Sequence, residues 1–207
     1  GSSNGVDLSM LDVNCISKDE QQILRQKLGI QNDFVFGFLG RIRDDKGINE
    51  LFESFEKVYQ TNNQCKLLVV GPWDEEHIKD KELHSKMTSH PGVILPGRTD
   101  DVPLFLSIMD VFIMTTWREG FGNVYIQAAA MGIPVIGSDV TGSKSAVSAN
   151  YNGLLVNPHD ISDISLAMFT MLKDLELRTE YGKNGIKWAQ NFKSEIIWEG
   201  MDKLYQA

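Results

Sequence analysis

The chain has 207 residues, a length that suits one large domain or two small ones. Its composition, 42% hydrophobic and 23% charged, is that of a globular protein and excludes disorder, collagen-like repeats and a disulfide miniprotein. Lys and Arg number 20 against 28 Asp and Glu, a formal net charge of -8 that argues against nonspecific nucleic-acid binding but leaves room for a local basic pocket.

Along the chain, short apolar runs alternate with amphipathic stretches. Phe34 to Leu39 (FVFGFL) reads as a buried strand ending at Gly40. Ile48, Leu51, Phe52, Phe55, Val58 and Tyr59 then recur with helical spacing. Lys66 to Val70 is a second buried strand, closed by Gly71-Pro72, and Glu75 to Ser89 is polar and helical. A short strand over Val93 to Leu95 is closed by Pro96-Gly97. Val102 to Met109 is a short helix entered through Asp100 or Asp101 as cap. Asp110 to Thr115 is a strand, WREGFG a loop, and Asn123 to Met131 a helix stopped by Gly132. Pro134 to Gly137 and Leu154 to Val156 complete the strands. Three helical stretches follow, over 160–173, 175–190 and 194–206.

Runs such as FVFGFL and KLLVV are apolar on both faces, as strands are in parallel sheets covered on each side by helices. The alternation of strand and helix predicts an α/β fold, doubly wound, with a mostly parallel sheet and helices on both faces. The whole of 1–207 reads as a single domain. Ligands of such folds bind beyond the carboxyl ends of the strands, so the segments after strands are where chemistry is expected.

Two of those segments are distinctive. In GRIRDDKG, Arg41, Arg43 and Lys46 sit between a strand end and a helix start. Cations beside a helix N-terminus, with its free N–H groups and partial positive charge, suit a phosphate-rich ligand. The competing reading is a solvated loop balanced by Asp44 and Asp45. In WREGFGN, Gly120 and Gly122 flank Phe121 ahead of a helix, so a ligand can approach the backbone closely. Glu119 is an acceptor on the same loop, able to grip sugar hydroxyls. Its plain reading is a tight turn with a capping Glu. The third Gly of a dinucleotide fingerprint is missing, as are a P-loop and a G-x-S-x-G elbow. His77, His84, His90 and His159 show no metal-ligand clustering, and neither a metal nor a cofactor is expected.

Cys15 and Cys65 are too few for a disulfide framework, which fits a reducing, cytoplasmic setting. Cys65 opens an apolar run and reads as a core residue. No apolar run approaches the roughly 18 residues of a membrane span, and no signal peptide is visible. The chain opens at Gly1 without Met and reads as a fragment.

Together these stretches resemble the C-terminal, donor-binding domain of retaining glycosyltransferases of family 4, which have the two-domain GT-B fold. The resemblance rests on NGVD at 4–7, GRIRDDKG at 40–47, LLVVG at 67–71 and DVFIMTTWREGFGNVYIQAAAMGIPVIGSDVTGS at 110–143, with Asn152-Gly153-Leu154-Leu155-Val156 a looser match. The wording around 119–142 looks most like bacterial transferases that build capsular, O-antigen or exopolysaccharide units.

The resemblance implies metal-independent transfer of a sugar, with retention, from a nucleotide diphosphate sugar, most simply a UDP-sugar, to a lipid-linked or saccharide acceptor. Arg41 and Lys46 match the family's diphosphate-holding cations, and Glu119 its sugar-contacting carboxylate. Gly120, Phe121, Gly122 and Asn123 match the loop whose backbone meets sugar and phosphate, with Val124 next in line. Gly97, Arg98 and Thr99 match the segment beside the nucleobase, and Gly40 closes the first strand beneath Arg41. The family pattern continues with a second Glu seven residues after the first, which usually holds the ribose hydroxyls. Here that position is Gln127, which forfeits a charge-assisted bond at a cost of about 1–2 kcal/mol.

In such enzymes the acceptor side lies on an N-terminal domain, which this chain lacks. The isolated chain is therefore expected to be inactive, with the 194–206 helix crossing toward the missing half. A full-length protein is expected in the cytoplasm, peripheral at the inner membrane where its acceptor rides on a lipid. Two other readings compete: a noncatalytic nucleotide-sugar binder or interaction subunit, with Gln127 a trace of lost chemistry, and a sugar-nucleotide epimerase of related fold.

Overall fold

The computed structural model describes residues 5–9 and 11–196. The doubly apolar runs become strands: Phe34–Leu39 (β1), Cys65–Val70 (β2), Val93–Gly97 (β3), Val111–Met114 (β4), Val135–Ser138 (β5) and Gly153–Val156 (β6). All pair in parallel, in the order β3-β2-β1-β4-β5-β6. Burial on both faces puts β1, β2, β4 and β5 inside, where Phe36, Leu67, Phe112 and Ile136 are fully buried. The edge strand β3 is half-buried throughout and holds Pro96, a residue that a sheet tolerates at its edge because it donates no ladder bond. The doubly wound α/β fold expected from the sequence is what forms.

The helices are Lys18–Lys27 (α1), Ile48–Thr61 (α2), Leu83–Ser89 (α3), Val102–Ser107 (α4), Asn123–Ala130 (α5), Thr141–Ala146 (α6), Ile161–Lys173 (α7) and Leu175–Ala189 (α8). Right-handed crossovers from β1 to β2 and from β4 to β5 place α2 and α5 on opposite faces of the sheet. Of the last helices, α7 packs on α2 and α8 on α5. Asp101 is the residue that caps α4, its carboxylate accepting from the Leu104 amide at 3.1 Å.

Three local expectations change. The stretch 75–89 is not one helix but a 3₁₀ turn at Glu75–His77 followed by α3. Asp44 accepts the Lys79 amide at 3.1 Å, and Asp80 accepts the Glu82 amide at 2.9 Å, so tertiary and turn bonds interrupt the helix between its two parts. Helix α1 was not expected, although Ser17 and Glu20 form a reciprocal capping box ahead of it. Helix α6 falls in a stretch after β5 to which the sequence reading gives no element. The expected helix over 194–206 lies outside the described residues beyond Ile196, as does Asn4 of the NGVD stretch.

The strand order reverses direction between β1 and β4, whose neighbouring carboxyl ends make the crevice where open α/β sheets take ligands. The two distinctive loops, after β1 and after β4, are therefore side by side. Sequence separates them by more than 70 residues; the parallel pairing of β1 with β4 brings them together.

Candidate functional site

The loop after β1 is held by its own acids and by the loop after β4. Asp44 is buried, accepting from the Asn49 amide and from the backbone of Lys79, so it anchors the loop instead of neutralising a cation. Arg43 is drawn inward by Asp45, its Nε 2.6 Å from Oδ1, with Asp74 at 3.9 Å. Of the solvated-loop reading, only the charge balance holds, and only for Arg43 with Asp45; the pair itself is largely buried. Thr115 Oγ1 donates to the Gly47 carbonyl at 2.8 Å, while Thr116 Oγ1 and the Trp117 amide both donate to the Asp45 carbonyl at 2.9 Å. Gly47 is left-handed, with φ 67°, and a Cβ there would lie 2.0 Å from the Thr115 carbonyl oxygen. Only glycine permits this seam to close.

Across the seam, Lys46 Nζ donates to Glu119 Oε2 at 2.7 Å, and both side chains are about four-fifths buried, at 20% and 17% exposure. Glu119 Oε1 also accepts the Gly120 amide at 3.1 Å. The main chain of Glu119 rests on α6, since a Cβ on Gly142 would come within 2.0 Å of the Glu119 carbonyl oxygen. Gly122 starts α5 from a left-handed conformation, φ 79°. Phe121 is buried and packs its ring on Phe192, 5.3 Å between centroids. Asn123 is exposed on the first position of α5; Val124 and Gln127 are half-buried further along it.

Arg41 is exposed and makes no ion pair among the described residues, although its charge helps hold the Asp74 carboxyl below the usual range, after the stronger effect of the hydrogen bond from His77. It lines a cavity of about 240 Å³ at the ends of β1, β2 and β3, together with Gly40, Gly71, Pro72, Arg98, Thr99 and Val102. The side chain of Arg98 is exposed, 3.3 Å from Asp100, while Thr99 Oγ1 accepts the Asp101 amide at 3.0 Å. Gly97 ends β3 and does not line the cavity itself; its carbonyl accepts the amide of Gly71, which does, at 2.9 Å. The predicted residues therefore fall into two adjoining groups: Gly40, Arg41, Arg98 and Thr99 around the cavity, and Lys46 with the 119–122 loop at the switch point.

Chemically the arrangement offers a mostly carbon-lined slot beside a cationic side chain, then a paired ammonium and carboxylate on two glycine-rich turns. Among the described residues no three His, Cys, Asp or Glu side chains are grouped to hold a metal ion, and no helix is long and apolar enough to cross a membrane. The contacts of Thr115, Thr116, Tyr125 and Gly142 with these loops were not expected. The first two lie in the strand and loop stretches singled out in sequence, but nothing in their residue types distinguishes a tether from a core position.

The chain matches the family described as glycosyl transferases group 1 over residues 20–188. It is 36% identical over 208 residues to the capsular polysaccharide biosynthesis glycosyltransferase CapM of Staphylococcus aureus, an overlap of 99% of this chain and 53% of that protein. The chain spans about half the length of the curated relatives it matches. Among solved structures, HepE of Anabaena in complex with UDP and glucose superposes with a TM-score of 0.87 at 25% identity, covering 98% of this chain and 55% of that one. The C-terminal domain of the group 1 family protein LpcC from Francisella tularensis has the same fold, with a TM-score of 0.77 and 24% identity, over 90% of this chain and 97% of that chain.

Proposed function

Because the chain belongs to the glycosyl transferases group 1, we propose that it is the donor-binding half of a retaining glycosyltransferase of polysaccharide biosynthesis, using a nucleotide diphosphate sugar, in the first place a UDP-sugar. The observation that carries this reading is the apposition of Lys46 and Glu119 at 2.7 Å across the switch point, beside the cavity that Arg41 lines. The cavity at the ends of β1 to β3 takes the base. Arg41 and Lys46 meet the diphosphate. Glu119 and the backbone of Gly120 to Asn123 meet the sugar, and Gln127 the ribose. The UDP-bound state of HepE supports uracil as the base.

In the transfer, the bond from the anomeric carbon to the diphosphate oxygen breaks and the electron pair leaves with the diphosphate. A new bond forms from the same carbon to an acceptor hydroxyl oxygen, and that hydroxyl's proton passes to the departing phosphate oxygen on the same face. The charge that grows on the leaving group is what Arg41 and Lys46 stabilise, from positions already fixed before reaction. With two cations in that role, a divalent metal is not required. Lys46 must exchange its Glu119 partner for phosphate, which frees the carboxylate for sugar hydroxyls. The acceptor, lipid-linked or saccharide, belongs to a further N-terminal domain. The isolated chain is therefore expected to bind donor without turning it over, and a lipid-borne acceptor would hold the full-length protein at the inner membrane, on its cytoplasmic side.

The test is calorimetric titration of the chain with UDP and UDP-glucose. Binding that survives EDTA and weakens at least 100-fold in the Arg41→Ala, Lys46→Ala double variant is expected, since each cation contributes a charge-assisted bond. No binding of either compound at millimolar concentration sinks the proposal. A noncatalytic binder is the second reading, favoured by Gln127 standing where a carboxylate is expected. Gln127→Glu should tighten UDP about fivefold if the ribose site is working; an unmoved affinity favours the second reading.

A further inference from the structure

Tyr125 is fully buried and is the largest side chain among the described residues to be so. Packing alone does not explain its hydroxyl, because a phenylalanine ring fills nearly the same space, and a buried hydroxyl demands partners. Those partners are specific. Tyr125 Oη donates to the Met114 carbonyl at 2.8 Å, the last residue of β4, immediately before the threonines that tether the two loops. Ser143 Oγ of α6 donates to Tyr125 Oη at 3.2 Å. Its ring lies directly under the turn into α5: a Cβ on Gly122 would come 2.6 Å from Cδ2. Gly142, the neighbour of Ser143, carries the Glu119 carbonyl. Both ends of the Glu119 to Gly122 loop thus rest on parts that the hydroxyl ties to the sheet.

We infer that Tyr125 is a positioning residue whose hydroxyl, through Met114 and Ser143, fixes the height of the Glu119 to Gly122 loop above the sheet and so the stance of Glu119 toward the donor sugar. The inference deepens the donor-binding reading and rests on it. Burial pushes the phenol's pKa well above its ordinary value, so the hydroxyl stays protonated and remains a donor. Neither Tyr125 nor Ser143 bonds Lys46 or Arg41 among the described residues; Lys46 meets this loop only through its pair with Glu119, which the diphosphate replaces in the donor complex. Loss of the hydroxyl should therefore cost recognition of the sugar and spare that of the nucleotide, a split that general destabilisation does not produce.

The experiment measures UDP and UDP-glucose affinities for the wild-type chain, Tyr125→Phe and Ser143→Ala, with thermal unfolding of each. In Tyr125→Phe, Kd for UDP should stay within twofold of wild type while Kd for UDP-glucose rises at least fivefold. Ser143→Ala, which removes only the second bond, should move UDP-glucose two- to threefold in the same direction. Equal losses for the two ligands, or a lower Tm with both affinities unchanged, overturns the inference. If the wild-type chain binds neither ligand, the donor reading has failed, and amide hydrogen exchange decides the positioning role by itself. Faster exchange at Gly120 and Gly122 in Tyr125→Phe, by at least fivefold with Phe36 unchanged, supports it; unchanged exchange there overturns it.

Discussion

The two ends of the central strands use the same kinds of charged residue in opposite ways. At the amino ends of β1 and β4, Arg25 spends its guanidinium on three backbone carbonyls, those of Gln31, Asp33 and Ile108, at 3.2, 2.6 and 3.0 Å. Asp110 accepts the Val35 amide at 2.7 Å, and burial raises its pKa against the pull of that bond and of Arg25 and Arg178. Arg178 bonds the Met171 and Leu172 carbonyls and lies 4.9 Å over the Phe34 ring. At the carboxyl ends, Lys46 and Glu119 have each other, and Arg41 faces the cavity. A charge committed to backbone cannot be offered to a ligand without loosening the fold. A charge paired with an opposite side-chain charge can be exchanged for a ligand's. The comparison separates the end that holds the sheet together from the end that is free to bind.

Breaking the first end should give the largest effect. Arg25→Ala strands three carbonyls and is expected to lower unfolding free energy by about 3 kcal/mol, with Kd for UDP unchanged. Urea denaturation and the same titration check both halves, and a shifted Kd would erase the division. Lys46→Met is the mirror experiment. It leaves the largely buried Glu119 carboxylate short of its cation, so unfolding free energy should fall by about 1–2 kcal/mol, less than for Arg25→Ala, while UDP weakens 10- to 100-fold.

The smallest effect is in pH. His90 sits against the Phe52, Phe55 and Tyr59 rings, and its Nδ1 accepts the Gly92 amide at 3.0 Å. Burial holds its pKa below the ordinary value of 6.5. The unfolded chain then takes up the proton more readily than the folded one. The associated stability is complete above pH 6.5 and is lost as pH falls below it toward the folded-state value. His90→Asn should flatten that slope in thermal unfolding without touching UDP affinity, because the residue lies behind α2, away from both loops.

What could be read ahead of the structure was whatever burial writes locally. Runs apolar on both faces mark interior parallel strands whatever lies beside them, so β1, β2, β4 and β5 were legible, and with them the strand ends where a site belongs. The capping box of Ser17 and Glu20 is legible too, but α1 has few apolar residues to give a period. Helix α6 carried no such signal: TGSKSA has neither a strong periodicity nor a capping side chain. Its contacts are with distant parts of the chain, Gly142 against the Glu119 carbonyl and Ser143 on the Tyr125 hydroxyl.

The amino-acid order by itself determined the element types, the glycine turns and the supply of charge at particular strand ends. Only the tertiary structure decided how the charges were spent: Arg43 inward to Asp45, Asp44 onto a distant amide, Lys46 onto Glu119, and the Tyr125 hydroxyl beneath the loop. The reason is range. Periodicity and capping act over a few residues, whereas an ion pair or hydrogen bond between residues many tens of positions apart depends on which strands lie side by side, and that is settled only when the whole sheet assembles.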